Sequence, residues 1–176
     1  MSDQRNVFII GPMGAGKSAV GRQLARRLNQ DFHDSDSEIE ARTGVDIPFI
    51  FEKEGEAGFR RREQKVIDEL TRLTGIVLAT GGGVVGDESN RSALTTRGLV
   101  VYLHASVDQQ MERTRYSNNR PLLDGDNPRE RLESLMTERE PLYRLLADYV
   151  VNTDGRRVPD VTDEIRRWLN TSLENQ

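Results

Sequence analysis

The sequence predicts an α/β fold, a parallel sheet with helices covering both faces. Two observations carry this expectation. Short apolar, β-branched runs recur along the 176 residues with longer helix-patterned segments between them. The first of these runs also breaks into a glycine-rich turn where a buried strand becomes a helix. The length supports one domain, 1–176, since it suffices for one hydrophobic core and leaves a second core improbable.

The elements follow in order. "VFII", Val7 to Ile10, is continuously apolar, as befits a strand covered on both faces. After the turn Gly11–Ser18, Val20, Leu24 and Leu28 form the inner face of a helix. "DFHD", Asp31 to Asp34, is the second strand, and the helix after it contains Ile39. Beyond "GEAG" a helix carries Phe59, Glu63, Val66, Ile67, Leu70 and Leu73 on one stripe. "IVLAT" (Ile76 to Thr80), "LVVYL" (Leu99 to Leu103) and "YVVNT" (Tyr149 to Thr153) complete the strands. Between the last two, "SNNRPLLDGDNP", Ser117 to Pro128, reads as a long exposed loop. Leu132, Leu135, Met136, Leu142 and Tyr143 then define a helix face, and a closing helix from near Pro159 presents Val161, Ile165, Trp168, Leu169 and Leu173.

Composition narrows the function. A net charge of −4 argues against a surface built to hold nucleic acid, so any polyanion must meet a local cluster of arginines. With no cysteine there are no disulfides, thiolate metal sites or cysteine nucleophiles. No segment is apolar over the roughly 18 residues of a membrane span, and the opening residues have no signal-like stretch. A cytoplasmic monomer without nucleic-acid or membrane partners is expected.

The chemistry starts at "GPMGAGKS", which satisfies G-x-x-x-x-G-K-[ST] between a strand and a helix. Its amides and the helix N-terminus make a seat for a di- or triphosphate, with Gly14, Ala15, Gly16 and Ala19 around it. Lys17 reaches the outer phosphates and the Ser18 hydroxyl holds Mg²⁺. Asp34 and Asp36 stand two residues apart at a strand end. One can contact Mg²⁺ through water while the other accepts a hydrogen bond from a hydroxyl awaiting phosphorylation; alternatively, Ser35 or Asp36 only caps the following helix. His33 and His104 read as structural, since nothing pairs either with a nucleophile.

Two helices place charge on an inward stripe. Glu63 needs a partner, and Arg60, three residues earlier, can supply it with donors to spare. Arg139 falls within the face of Leu135 and Tyr143. A structural ion pair would explain one such arginine. Two of them beside a phosphate seat suggest a cleft gripping a second anion, such as a carboxylate-bearing acceptor. Gly81, Gly82 and Gly83, after the third strand, let a ligand lie against bare backbone, or form only a tight turn.

Together "GPMGAGKS", "DSDSEIE", "IFEKEGEAGFRRRE", "IVLATGGGVV", "RPLL" and "TEREPLY" resemble the shikimate kinase family, from about Asn6 to Trp168. The resemblance implies transfer of the ATP γ-phosphate to the 3-hydroxyl of shikimate on the route to chorismate. It also implies a three-layer P-loop kinase fold with five parallel strands ordered 2-3-1-4-5, acceptor-binding helices at about 35–62 and a lid at about 114–128. By position, it implies that Asp36 binds the acceptor hydroxyls and is a candidate to take the proton, that Arg60 and Arg139 hold the shikimate carboxylate, and that Gly82 offers a backbone contact. Arg120, in "RPLL", matches a lid arginine over the phosphates, Arg113 an arginine near adenine, and Arg156 a further nucleotide contact; Asp34 matches a carboxylate near Mg²⁺. Rival readings are another small-metabolite kinase, of gluconate or nucleoside monophosphate type, and a nucleotide-dependent switch. The latter leaves the inward arginines without a role, and no N-K-x-D guanine motif is present.

Overall fold

The structure is a computed structural model that describes residues 4–115, 125 and 127–175. Five strands form one parallel sheet: β1 (Val7–Ile10), β2 (Asp31–Asp34), β3 (Ile76–Ala79), β4 (Leu99–His104) and β5 (Tyr149–Asn152), in the order β2-β3-β1-β4-β5. β1 lies at the centre, Val7 standing opposite Val77 on one side and Leu99 on the other. All four of its residues are buried, which explains its unbroken apolar run. β2 and β5 are the edges and alternate less cleanly, with Asp31, Val150 and Asn152 exposed.

Side-chain alternation along β1 divides the core into two layers. Val7 and Ile9 face α1 (Lys17–Leu28) and α7 (Val158–Glu174), where Val20, Leu24, Val161, Ile165 and Leu169 are buried with them. Phe8 and Ile10 face the layer of α2 (Ser35–Thr43), α3 (Ile47–Leu70), α4 (Glu88–Arg97) and α6 (Pro128–Leu146), packing with Ile39, Ile67, Leu94 and Tyr143. Truncating a fully buried Leu24 to alanine would cost about 2–5 kcal/mol through lost contacts and the cavity left behind. A short helix, α5 (Val107–Thr114), follows β4 and packs on α6.

Four local expectations need correction. α3 begins well before "GEAG", at Ile47, with Asp46 accepting the Phe49 amide as its N-cap. It changes direction at Gly55, whose φ of 71° lies in the left-handed region that glycine tolerates. Leu73 lies past the end of the helix and is exposed, because Thr71 already terminates it. Leu173, in the last turn of α7, is also exposed, while Trp168 is half-buried and stacks on Tyr149 at 4.9 Å. Finally, neither Ser35 nor Asp36 caps α2: Asp34 does, accepting the Ser37 amide.

Candidate active site

The phosphate-loop motif follows β1 and leads into α1. Gly16, at φ 86°, is the helix N-cap and supplies no capping side chain, so the first amides of α1 are not covered by their own sequence. Gly14, Gly16, Lys17, Ser18 and Ala19 line a cavity of about 240 Å³ together with Asp34, Asp36, Gly81, Gly82 and Arg113. Ala15 instead turns its methyl into the core, its amide donating to the Pro12 carbonyl. Lys17 is 9% exposed, and its ammonium donates to the Pro12 carbonyl at 2.8 Å. Arg113 braces the loop, donating to the Gly14 carbonyl at 2.8 Å and to the Thr153 carbonyl at 3.0 Å.

Ser18 and Asp34 meet in the same cavity, Ser18 Oγ donating to Asp34 Oδ2 at 2.5 Å. A hydroxyl beside a carboxylate offers the hard oxygens that Mg²⁺ prefers. Among the described residues no three Asp, Glu, His or Cys gather into a cage. The donor set therefore fits a cation that takes one or two protein oxygens and completes its shell with water and phosphate. Asp34 serves two purposes at once, capping α2 through Oδ1 and meeting Ser18 through Oδ2.

The second half of the site is built around the backbone of Gly81–Gly83, between β3 and a 3₁₀ turn at Val84–Gly86. Its partners come from three elements. The buried Ser35 hydroxyl accepts the Gly81 amide at 3.2 Å, and the Tyr143 hydroxyl donates to the Gly82 carbonyl at 2.5 Å. The missing side chains leave room for charge. A Cβ on Gly81 would stand 2.9 Å from Asp36 Oδ1 and 3.0 Å from Glu63 Oε2; on Gly82, 3.5 Å from Arg139 Nη1; on Gly83, 2.3 Å from Arg60 Nη2. Asp36, Glu63, Arg60 and Arg139 thus converge on three glycines, and Gly82 also lies against the phosphate loop, 3.5 Å from the Met13 amide nitrogen by the same measure.

Electrostatics tie the group together. Glu63 is fully buried; its Oε1 accepts Arg60 Nη1 at 2.9 Å, while Oε2 accepts no hydrogen bond from the described residues. Burial pushes the Glu63 carboxyl above its ordinary range, opposed first by Arg60 and then by Arg139. Arg60 also reaches Glu56 through Nη2 at 3.3 Å, and a guanidinium has five N–H donors, so its capacity is not exhausted. Arg139 is 9% exposed on the inner face of α6.

Two further residues were expected at the nucleotide. Arg156 pairs with Glu164 at 3.0 Å and lines a cavity beside α7 with Asp160 and Asp163. Arg120, and most of the expected lid at 114–128, lies outside the described residues. A larger cavity of about 610 Å³ opens between α3 and α4 beside Arg61, Lys65, Asp68 and Arg97, but gathers none of the residues expected to bind nucleotide, acceptor or metal. His104 sits edge-on to Tyr102 at 5.9 Å, a packing role. Sequence reasoning counted Tyr143 only as part of an apolar face. The available signal was an aromatic ring with a polar tip one helical turn after Arg139.

The geometry thus joins a phosphate seat to a carboxylate-and-guanidinium cluster. The family model for shikimate kinase matches residues 13–170. The chain belongs to the shikimate kinase family. Shikimate kinase of Vibrio vulnificus (strain YJ016) is 53% identical over 172 residues, covering 98% of this chain and all of that one. That of Methylococcus capsulatus is 62% identical over 153 residues, 87% of this chain and 86% of the relative. The structure of shikimate kinase from Acinetobacter baumannii in complex with shikimate superposes with a TM-score of 0.95 at 47% identity, covering 97% of this chain and 96% of that one.

Proposed function

We propose that the chain, as one kinase domain, transfers the γ-phosphate of ATP to the 3-hydroxyl of shikimate, giving shikimate 3-phosphate and ADP. The observation that carries this reading is the meeting of Asp36, Arg60 and Arg139 at Gly81–Gly83, alongside the phosphate loop. The helical region at about 35–62 and Arg139 of α6 then hold the acceptor, and the loop, α1 and Arg113 hold the nucleotide.

In this mechanism the chain's residues position reactants and neutralise charge, because phosphoryl transfer leaves little covalent work to the protein. Arg60 and Arg139 grip the acceptor carboxylate by the fork geometry of their guanidiniums, and Gly82 offers it bare backbone. Asp36 accepts a hydrogen bond from the attacking hydroxyl and takes its proton as the new O–P bond forms. The electron pair of the breaking P–O bond leaves on ADP. Lys17 and Arg120 neutralise charge on the transferring group. Mg²⁺, when bound at Ser18 and, through water, near Asp34, neutralises charge on the phosphate oxygens. We take the enzyme to work as a cytoplasmic monomer, a reading supported by its charged, cysteine-free composition. No helix among the described residues is long and apolar enough to cross a membrane.

The test is ADP release by purified protein with ATP, Mg²⁺ and a panel of hydroxy acids and nucleoside monophosphates. Turnover with shikimate far above every other acceptor is expected; faster turnover of gluconate or of a nucleotide would refute the assignment.

A further inference from the structure

Tyr143 lies one turn beyond Arg139 on the buried face of α6 and is 0% exposed. Its ring stacks on Tyr102 at 5.0 Å, which fixes the plane of the phenol. Its hydroxyl donates to the Gly82 carbonyl at 2.5 Å. A phenol has one proton, so that donation leaves the same oxygen able only to accept toward anything else. Arg139 is what it meets: burial drives the phenol's proton affinity up, and the charge of Arg139 with its hydrogen bonding opposes the rise.

Gly82 is where three parts of the site touch. A Cβ there would meet Arg139 Nη1, the Met13 amide nitrogen and the Gly11 carbonyl oxygen, all within 3.6 Å. Arg139 and Tyr143 also share a small gap with Pro12 and Met13 of the phosphate loop. The Gly82 carbonyl is partly buried where it accepts this bond, and losing the phenol would leave it without that partner, so the turn has a reason to stay where the phenol is.

We propose that Tyr143 is a positioning residue for the acceptor: its hydroxyl fixes the Gly82 backbone relative to Arg139, and so sets the distance between acceptor carboxylate and phosphate loop. This rests on the reading that Arg139 and Gly82 hold the acceptor. Tyr143 does not itself touch the reacting atoms. Its effect appears in shikimate binding, because the nucleotide seat is built from the amides of the loop and of α1.

The test compares three variants by steady-state kinetics and thermal melting. Tyr143→Phe keeps the stacked ring and removes only the hydroxyl. Tyr102→Phe removes a hydroxyl from the same stack, one that bonds Glu140 instead of the Gly82 carbonyl. Arg139→Ala reports on the underlying reading. Tyr143→Phe is expected to raise the KM for shikimate at least threefold and leave the KM for ATP within twofold, whereas Tyr102→Phe lowers the Tm without separating the two KM values. Equal changes in both KM values for Tyr143→Phe, or a lowered Tm with both unchanged, would show a purely structural hydroxyl and overturn the proposal. If Arg139→Ala leaves shikimate KM unchanged, the acceptor assignment itself is wrong and the role of Tyr143 falls with it. A large Arg139 effect beside a silent Tyr143→Phe overturns the positioning role alone.

Discussion

Arg60 and Glu63 face each other across one turn of α3, Nη1 to Oε1 at 2.9 Å, with the carboxylate buried and the guanidinium only partly covered. The pair orients the guanidinium from below while its outer donors remain available above. The buried carboxylate thus works as a support for a cation whose partner is a ligand.

The pH dependence of stability follows from that burial. The Glu63 carboxyl titrates above its ordinary value of 4.5 in the folded chain, because desolvation outweighs Arg60. Between the two values the folded state holds more protons than the unfolded state, so the contribution of Glu63 is fully present below 4.5 and is lost as pH rises through the raised value. Glu63→Gln, which cannot ionise, should therefore gain stability relative to the parent as pH climbs through this window. Urea melts across the range check this; a difference that shrinks with rising pH would contradict it.

Gly83→Ala tests the same guanidinium from the opposite side. The backbone there is ordinary, at φ −94°, so the methyl brings no strain of its own, but it would stand 2.3 Å from Arg60 Nη2. Arg60 must move. The expected result is a raised shikimate KM, with the ATP KM little changed.

For Asp36, the conservative change Asp36→Asn keeps size and removes the proton acceptor. Turnover should fall by roughly two orders of magnitude, the common scale for loss of a general base. Circular dichroism should report an intact fold. Near-normal kcat would remove Asp36 from the chemistry.

Asp34 separates a fold role from a metal role. Asp34→Ala loses the cap on α2 and should cost about 1 kcal/mol of stability. Asp34→Asn can still cap the helix but offers a weaker oxygen to a cation. It should melt near the parent yet require more Mg²⁺ for half-maximal rate, as a Mg²⁺ titration would record.

The sequence announced most of this through local pattern. Short runs marked all five strands to within a residue, most plainly β1, β3 and β4, whose interior positions are buried on both faces and have little choice of side chain. The phosphate loop was legible because its glycines, lysine and serine are set by one backbone geometry. Glu63 and Arg139 were visible as charges on apolar stripes. Other features depend on distance in space. The strand order follows from crossovers that no local window contains, and came only through family resemblance. The identity of the α2 cap turned on where β2 stops, and Arg156 found Glu164 on its own surface. The Tyr143 hydroxyl reaches Gly82, 61 residues away in sequence, and no periodicity points to that contact.

The central claim, that a nucleotide seat and a guanidinium-lined carboxylate site lie side by side, is tested most directly by a two-by-two comparison. Parent enzyme and Arg139→Ala are each assayed for kcat/KM on shikimate and on its carboxamide analogue. A charged hydrogen bond of about 1.5–3 kcal/mol predicts that the parent prefers the acid by one to two orders of magnitude, and that Arg139→Ala loses most of this preference while its KM for ATP holds steady. If the variant discriminates as strongly as the parent, Arg139 does not hold the carboxylate and the account is contradicted.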